Sequence, residues 1–158
     1  VVIAAPHTSN WDFIYFLGAA TELNVPLSFM GKKQLFRSPL GRAMRELGGI
    51  AIDRSNSRNY VQSMVDEFAK RDSFMLTIAP EGTRSKVARW KTGFYHIAIQ
   101  AKVPLVLGLM DYSKKQVGLA GAIWPTGDYL KDMEKVLEFY QKTTPRHPGQ
   151  GSVDFGQL

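Results

Sequence analysis

Residues 5–12 of this chain read APHTSNWD, a polar turn between two apolar segments. The run before it, residues 1–5, predicts a buried strand, and residues 13–20 after it predict a mostly apolar helix. Ser9 or Asn10 is placed to cap that helix. A strand that turns directly into a helix is the building unit of α/β folds.

The turn carries His7 and, in the first turn of the predicted helix, Asp12. About one helical turn separates the two, so the carboxylate is expected within reach of the imidazole. A carboxylate that accepts a hydrogen bond from one imidazole N–H fixes the tautomer and frees the other nitrogen to take a proton. We therefore predict a general-base dyad. The alternative is a capping aspartate beside a histidine that is bonded to the backbone.

The composition narrows the classes of protein. A length of 158 residues suggests one domain, residues 1–158, with an upstream segment expected before Val1 and an exposed tail over residues 143–158. The absence of cysteine excludes disulfides, thiolate metal sites and cysteine nucleophiles. The longest apolar run is too short to span a membrane. A net charge of +6 favours anionic partners such as phosphorylated molecules or anionic lipid surfaces.

Strands and helices are expected to alternate along the rest of the chain. Strands are predicted at residues 26–30, 50–52, 74–79, 103–110 and 116–123, and helices at 40–47, 57–71 and 93–102, with a last one capped by Asp128. The alternation predicts an α/β single domain with a mixed or mostly parallel sheet flanked by helices.

Two groups of apolar residues are assigned to the core. One is the face of the last helix that carries Leu130, Met133, Leu137 and Tyr140. The other is the aromatic set of the first helix, Trp11, Phe13, Tyr15 and Phe16. The aromatic set could instead line an acyl-chain groove or touch lipid.

Polar stretches follow several of the predicted strands, which is where ligands bind in an open α/β sheet. Besides the first turn, these are Lys32, the pair Asp53-Arg54 and the stretch from Glu81 to Arg84. Glycine at 82 allows a tight turn with N–H groups close to a ligand, and an arginine fork can hold a phosphate. A solvated turn with a surface ion pair is the alternative.

Four blocks in this order resemble the lysophospholipid and glycerol-phosphate acyltransferase family. They are His-x4-Asp at His7–Asp12, the lysine element at Lys32–Gly41, Gly-x-x-x-Ile-Asp-Arg ending at Arg54, and Pro-Glu-Gly-Thr-Arg-Ser at Pro80–Ser85. A Lys-x-Gly element follows at Lys91, and the family's last block is similar to Val103-Pro104, with Leu107 in place of its second proline. The resemblance covers about residues 4–110 and implies a glycerol-phosphate acyltransferase-like fold.

The resemblance implies an O-acyltransferase of phospholipid biosynthesis. The acyl group would move from acyl-CoA or an acyl carrier protein, as co-substrate, to a phosphorylated lysolipid, with 1-acylglycerol 3-phosphate as the default acceptor. His7 and Asp12 would be catalytic, and the substrate-binding residues would be Lys32, Arg54, Glu81, Gly82, Thr83 and Arg84. No cofactor and no metal are expected, and the chain is expected to be cytoplasmic and peripheral at the cytoplasmic face of an anionic membrane.

Other functions stay open on the sequence. The same dyad could hydrolyse a thioester, although no Gly-x-Ser-x-Gly motif is present. A non-enzymatic basic module that binds anionic lipid is a second possibility. Nucleic acid is not an expected partner, because the basic residues are dispersed and no recognition motif is found. Glycerol 3-phosphate, another lysophospholipid or an acyl-amino-acid lipid remain candidate acceptors.

Overall fold

The computed structural model describes residues 1–37, 39–52, 57–82 and 87–149, with only the backbone of residues 57–59. Its strands are β1 (Val2–Ala4), β2 (Leu27–Lys32), β3 (Gly49–Ile52), β4 (Met75–Ile78), β5 (Leu105–Asp111) and β6 (Gln116–Ile123). Its α-helices are α1 (Asn10–Glu22), α2 (Gly41–Glu46), α3 (Ser57–Ala69), α4 (Gly93–Ala101) and α5 (Tyr129–Tyr140), and a short 3₁₀ helix spans Lys33–Arg37.

The strands form one sheet in the order β3-β2-β4-β1-β5-β6. Neighbours from β3 to β5 pair in parallel, and β6 at the edge pairs with β5 in antiparallel orientation. Apolar residues fill β1 without alternation because a central parallel strand is covered on both faces. The predicted α/β class, with a mostly parallel sheet flanked by helices, is confirmed.

The main core lies between one face of the sheet and the helices α3, α4 and α5. Val2 and Leu76 of the sheet meet Phe94, Ile97 and other apolar side chains of these helices there. Alternation along the strands turns Ile3 to the opposite face. Helix α1 packs on that opposite side, where the ring of Phe13 meets Phe29 of β2 edge-on at 4.8 Å.

Two core expectations are partly wrong. Phe16 of α1 is buried, but Trp11 and Tyr15 are 52% and 46% exposed. Helix α1 is apolar on both of its faces, so its sequence carries no signal for which face turns to the sheet. In α5 the buried face begins at Tyr129, and Leu130 is exposed because the helix is rotated by about one residue from the expected orientation.

Strand order determines where polar side chains meet. Because β1 lies beside β4 and β4 lies beside β2, the carboxyl ends of these parallel strands share one edge of the sheet. The pairing continues past β1, since the N–H of Ala5 donates to the carbonyl of Ile78 at 3.0 Å. His7 and Glu81 follow β1 and β4, and Lys32 is the last residue of β2. Among the described residues, no helix is long and apolar enough to cross a membrane.

Candidate functional site

The turn from β1 into α1 is held by a capping box. Ser9 is the N-cap in extended conformation, and its hydroxyl accepts from the N–H of Trp11 at 3.2 Å. The carboxylate of Asp12 reaches back and accepts from the N–H groups of Thr8 and Ser9 at 2.7 and 2.9 Å. These bonds satisfy N–H groups that a helix start leaves free, and one such cap stabilises by about 1 kcal/mol. Of the two predicted caps, Ser9 and Asn10, the structure has Ser9, and Asp12 lies in the first turn as predicted. The hydrogen bonds of Asp12 go to Thr8, Ser9 and Tyr112 and not to the imidazole of His7.

Asp12 has a further partner from a distant part of the chain. The hydroxyl of Tyr112, just past the end of β5, donates to Oδ1 of Asp12. Asp12 is 5% exposed, and these donors satisfy both of its carboxylate oxygens. Burial and, next, the hydrogen bond to Asp12 raise the pKa of Tyr112 to about 12.

The carboxylate paired with the imidazole of His7 belongs to Glu81. Its Oε2 lies 3.6 Å from the ring nitrogen Nδ1 of His7. The same oxygen accepts a hydrogen bond from the backbone N–H of His7 at 3.4 Å. Glu81 is buried, and Nδ1 has no hydrogen-bond partner among the described residues. A separation of 3.6 Å is longer than a hydrogen bond, and such contacts often tighten when substrate binds. With Nδ1 facing Glu81, Nε2 is the nitrogen that can serve a substrate.

Gly82 adopts φ +66°, a left-handed conformation that other residues rarely take. A side chain at this position would also meet Lys91, whose Nζ lies 3.0 Å from the place of the missing Cβ. Glycine therefore lets the Lys91 ammonium group lie against the backbone. The other predicted binding residues, Arg54, Thr83 and Arg84, lie outside the described residues.

A groove of about 1220 Å³ opens beside this turn, and His7, Lys32, Gly82 and Lys91 all line it. Asp12 and Glu81 are buried next to the groove. Glu81 accepts from the backbone N–H of His7, and Asp12 accepts from that of Thr8. Apolar side chains complete the walls, among them Met30, Leu35, Val61, Ile78, Trp90 and Phe94. The groove thus joins a proton acceptor, two cations and an apolar surface.

Two residues of this region were not assigned to the site from the sequence. Lys91 was quoted only as part of a Lys-x-Gly element, and that element was the available signal. Tyr112 lies in a part of the chain without any motif, and no sequence pattern pointed to it. His96 is exposed and lines the groove. Within the described residues, no three His, Asp or Glu side chains are grouped to hold a metal ion.

Comparisons with known proteins agree with one another. The profile of the family described as Acyltransferase matches residues 1–107. A 1-acyl-sn-glycerol-3-phosphate acyltransferase of Salmonella typhimurium is 31% identical over 125 residues, covering 75% of this chain and 49% of that protein. One from Cocos nucifera is 38% identical over 122 residues, covering 67% of this chain and 39% of that protein.

A solved structure shares the fold. It is the 1-acyl-sn-glycerophosphate (LPA) acyltransferase PlsC from Thermotoga maritima, with a TM-score of 0.59 and 18% sequence identity. The similarity covers 87% of this chain and 61% of that one. The chain spans about half the length of the curated relatives it matches, 49% in the bacterial case.

Proposed function

The chain belongs to the acyltransferase family, and from this premise we propose that it moves a fatty acyl group from a thioester to a lysophospholipid hydroxyl. The acceptor we propose is 1-acylglycerol 3-phosphate, and the donor is acyl-CoA or an acyl carrier protein. The observation that carries the proposal is that His7, Lys32 and Lys91 line one groove with apolar walls. A charged headgroup and an acyl chain need such a combination.

His7 is the general base of the proposed reaction. Its Nε2 takes the proton of the acceptor hydroxyl while that oxygen attacks the thioester carbonyl carbon. The C–S bond then breaks, and the thiolate leaves and takes the proton from the imidazolium. A thioester is reactive enough that an activated alcohol suffices, so the enzyme needs no nucleophile of its own. No cofactor or metal takes part.

Two carboxylates prepare His7 in different ways. Asp12, the predicted partner in the dyad, binds the backbone of the turn that carries His7, and so acts through Thr8 and Ser9. Glu81 faces Nδ1 directly and stabilises the positive charge that develops on the ring. In the proposed mechanism, Asp12 therefore positions the turn that carries His7, and Glu81 acts on the imidazole directly.

The acceptor phosphate is held by cations at the rim of the groove. Lys32 and Lys91 both line the groove and are placed for this. Arg54, Thr83 and Arg84 remain part of the proposed phosphate site on the strength of the sequence. Fixing the phosphate would place the acceptor hydroxyl beside His7, where orientation lowers the barrier.

The protein is proposed to work at the cytoplasmic face of a membrane, as a peripheral protein. Helix α1 supports this proposal, since Trp11, Ile14 and Tyr15 form an exposed apolar stripe. Trp and Tyr favour the headgroup region of a bilayer. The guanidinium of Arg146 lies 5.8 Å from the ring centre of Trp11, which adds a cation for anionic lipid.

Thiol release from palmitoyl-CoA and from palmitoyl-acyl carrier protein, with and without lysophosphatidate, tests the proposal. We expect release that depends on the acceptor and equals the phosphatidate formed. Equal release without acceptor would show a thioester hydrolase instead. No release from either donor, together with binding to anionic vesicles, would show a lipid-binding module and overturn the proposal.

A further inference from the structure

A tyrosine outside the family-matched region reaches into the turn that carries the proposed base. The match to the family profile covers residues 1–107, and Tyr112 directly follows β5. Its hydroxyl donates to Asp12 across 100 residues of sequence. We propose that Tyr112 is a positioning residue for acyl transfer, which holds Asp12 and, through it, the His7 turn. This inference rests on the proposed function.

The hydrogen bonds of Asp12 give the reason. One oxygen, Oδ2, accepts from the N–H groups of Thr8 and Ser9, and the other, Oδ1, accepts from Tyr112. With Oδ1 anchored to a different strand, the carboxylate cannot rotate without breaking bonds on both sides. A buried carboxylate that loses one donor moves towards water or another partner, and it would pull the turn with it.

Tyr112 is itself fastened by residues 143–147, which we call the strap. The backbone N–H of Tyr112 donates to the carbonyl of Thr144 at 2.8 Å. The guanidinium of Arg146 lies 5.8 Å from the ring centre of Tyr112 and equally far from that of Trp11. The backbone N–H of His147 donates to the hydroxyl of Thr8 at 3.2 Å. The strap therefore contacts both Tyr112 and the turn that Tyr112 holds.

The fold contains a second buried tyrosine–aspartate bond that serves as a matched control. The hydroxyl of Tyr95 in α4 donates to Asp132 of α5 at 2.7 Å, and Asp132 also accepts from the N–H of Thr126. This aspartate likewise binds backbone, and burial raises the pKa of Tyr95 to about 12, as for Tyr112. Tyr95 does not line the groove. Tyr95→Phe therefore removes the same kind of bond away from the reaction.

The experiment compares Tyr112→Phe with Tyr95→Phe under steady-state acyl transfer to lysophosphatidate. For Tyr112→Phe we expect kcat to fall about 10-fold, about 1.4 kcal/mol, with KM changed less than twofold. Tyr95→Phe should lower Tm by about as much as Tyr112→Phe does, but it should leave kcat within twofold of wild type. In an Asp12→Asn background, Tyr112→Phe should lower kcat by less than a further twofold, because both substitutions disrupt the same hydrogen bond. Equal kcat for the two tyrosine variants, or additive effects in the cycle, would overturn the inference.

Amide hydrogen exchange separates this inference from the proposed function. The N–H groups of Thr8 and Ser9 should exchange several times faster in Tyr112→Phe than in wild type or Tyr95→Phe. Unchanged exchange would overturn the positioning role even if wild type transfers acyl groups. Faster exchange in Tyr112→Phe, together with a wild type that transfers no acyl group, would support the positioning role of Tyr112 and reject the proposed reaction.

Discussion

Nδ1 of His7 lies 3.6 Å from Oε2 of Glu81, a carboxylate that is 3% exposed. The two residues are 74 positions apart in sequence, and the contact exists because β4 pairs beside β1. Because Nδ1 faces this buried carboxylate, Nε2 is the nitrogen that meets the substrate in the proposed mechanism. Glu81 thus joins the proposed proton transfer, whereas the sequence placed it among the substrate-binding residues or in a surface ion pair.

Glu81→Gln tests this contact. The amide has nearly the same shape but no charge, so the imidazolium is stabilised less in the transition state. We expect kcat to fall about 30-fold, with little change in the acceptor KM. Glu138→Gln on the surface of α5 is the control and should behave as wild type. A kcat within threefold of wild type would show that Glu81 does not act on His7.

Lys91→Ala tests the proposed phosphate site. Loss of the ammonium group beside Gly82 should raise KM for lysophosphatidate about 10-fold and change kcat less than threefold. The activity with monoacylglycerol, which has no phosphate, should not change. Lys131→Ala, an exposed lysine of α5, is the matched control. An equal effect on both acceptors would mean that Lys91 does not bind the phosphate.

Trp11→Ser tests the exposed stripe of α1. Cosedimentation with vesicles of phosphatidylglycerol should fall about fivefold, because one interfacial aromatic side chain is lost. Trp124→Ser removes a tryptophan that is 67% exposed and lies between β6 and α5, and it should leave vesicle binding intact. Equal losses from both variants would contradict membrane contact through α1.

Asp111→Asn tests the turn that carries Tyr112. Hydrogen bonds from Ser113 and then from Lys114 lower the pKa of Asp111 to about 2. Because this pKa lies below that of the unfolded chain, the ionised group adds about 2 kcal/mol of stability near neutral pH. That contribution is lost as the pH falls from about 4 to about 2. Urea unfolding should show the variant less stable at pH 7 and close to wild type at pH 2.

The surface aspartate change Asp72→Asn is the control for that measurement. Asp72 is exposed, so the substitution should leave the free energy of unfolding unchanged at both pH values. A stability difference between Asp111→Asn and wild type that is the same at pH 2 and pH 7 would contradict the account.

Local signals in the sequence predicted the part of the site that local structure builds. The cap at Ser9 and the place of Asp12 follow from residue types within one turn of helix, so they could be read directly. Helix α1 shows the limit of such signals. Because α1 carries apolar residues on both faces, its sequence did not determine that Trp11 and Tyr15 would be exposed. The predicted burial of Leu130 was wrong for a similar reason, since Tyr129 and Leu130 define two possible apolar faces of α5.

Contacts across the sheet could not be predicted in the same way. Glu81 meets His7 only because β1 enters the sheet between β4 and β5, and strand order depends on the packing of the whole chain. Tyr112 meets Asp12 across 100 residues, from a region in which no motif marks a function. The sequence indicated which residue types could do the chemistry, and the pairing of the strands determined which of them touch.

The central claim is that His7 takes a proton from the acceptor hydroxyl during acyl transfer. The most direct test is phosphatidate formation from palmitoyl-CoA and lysophosphatidate by wild type, His7→Ala and His147→Ala. We predict that His7→Ala lowers kcat about 1000-fold, as expected for loss of a general base. His147→Ala, which removes an exposed imidazole and keeps the backbone bond to Thr8, should match wild type. Phosphatidate formation by His7→Ala within about 10-fold of wild type would contradict the claim.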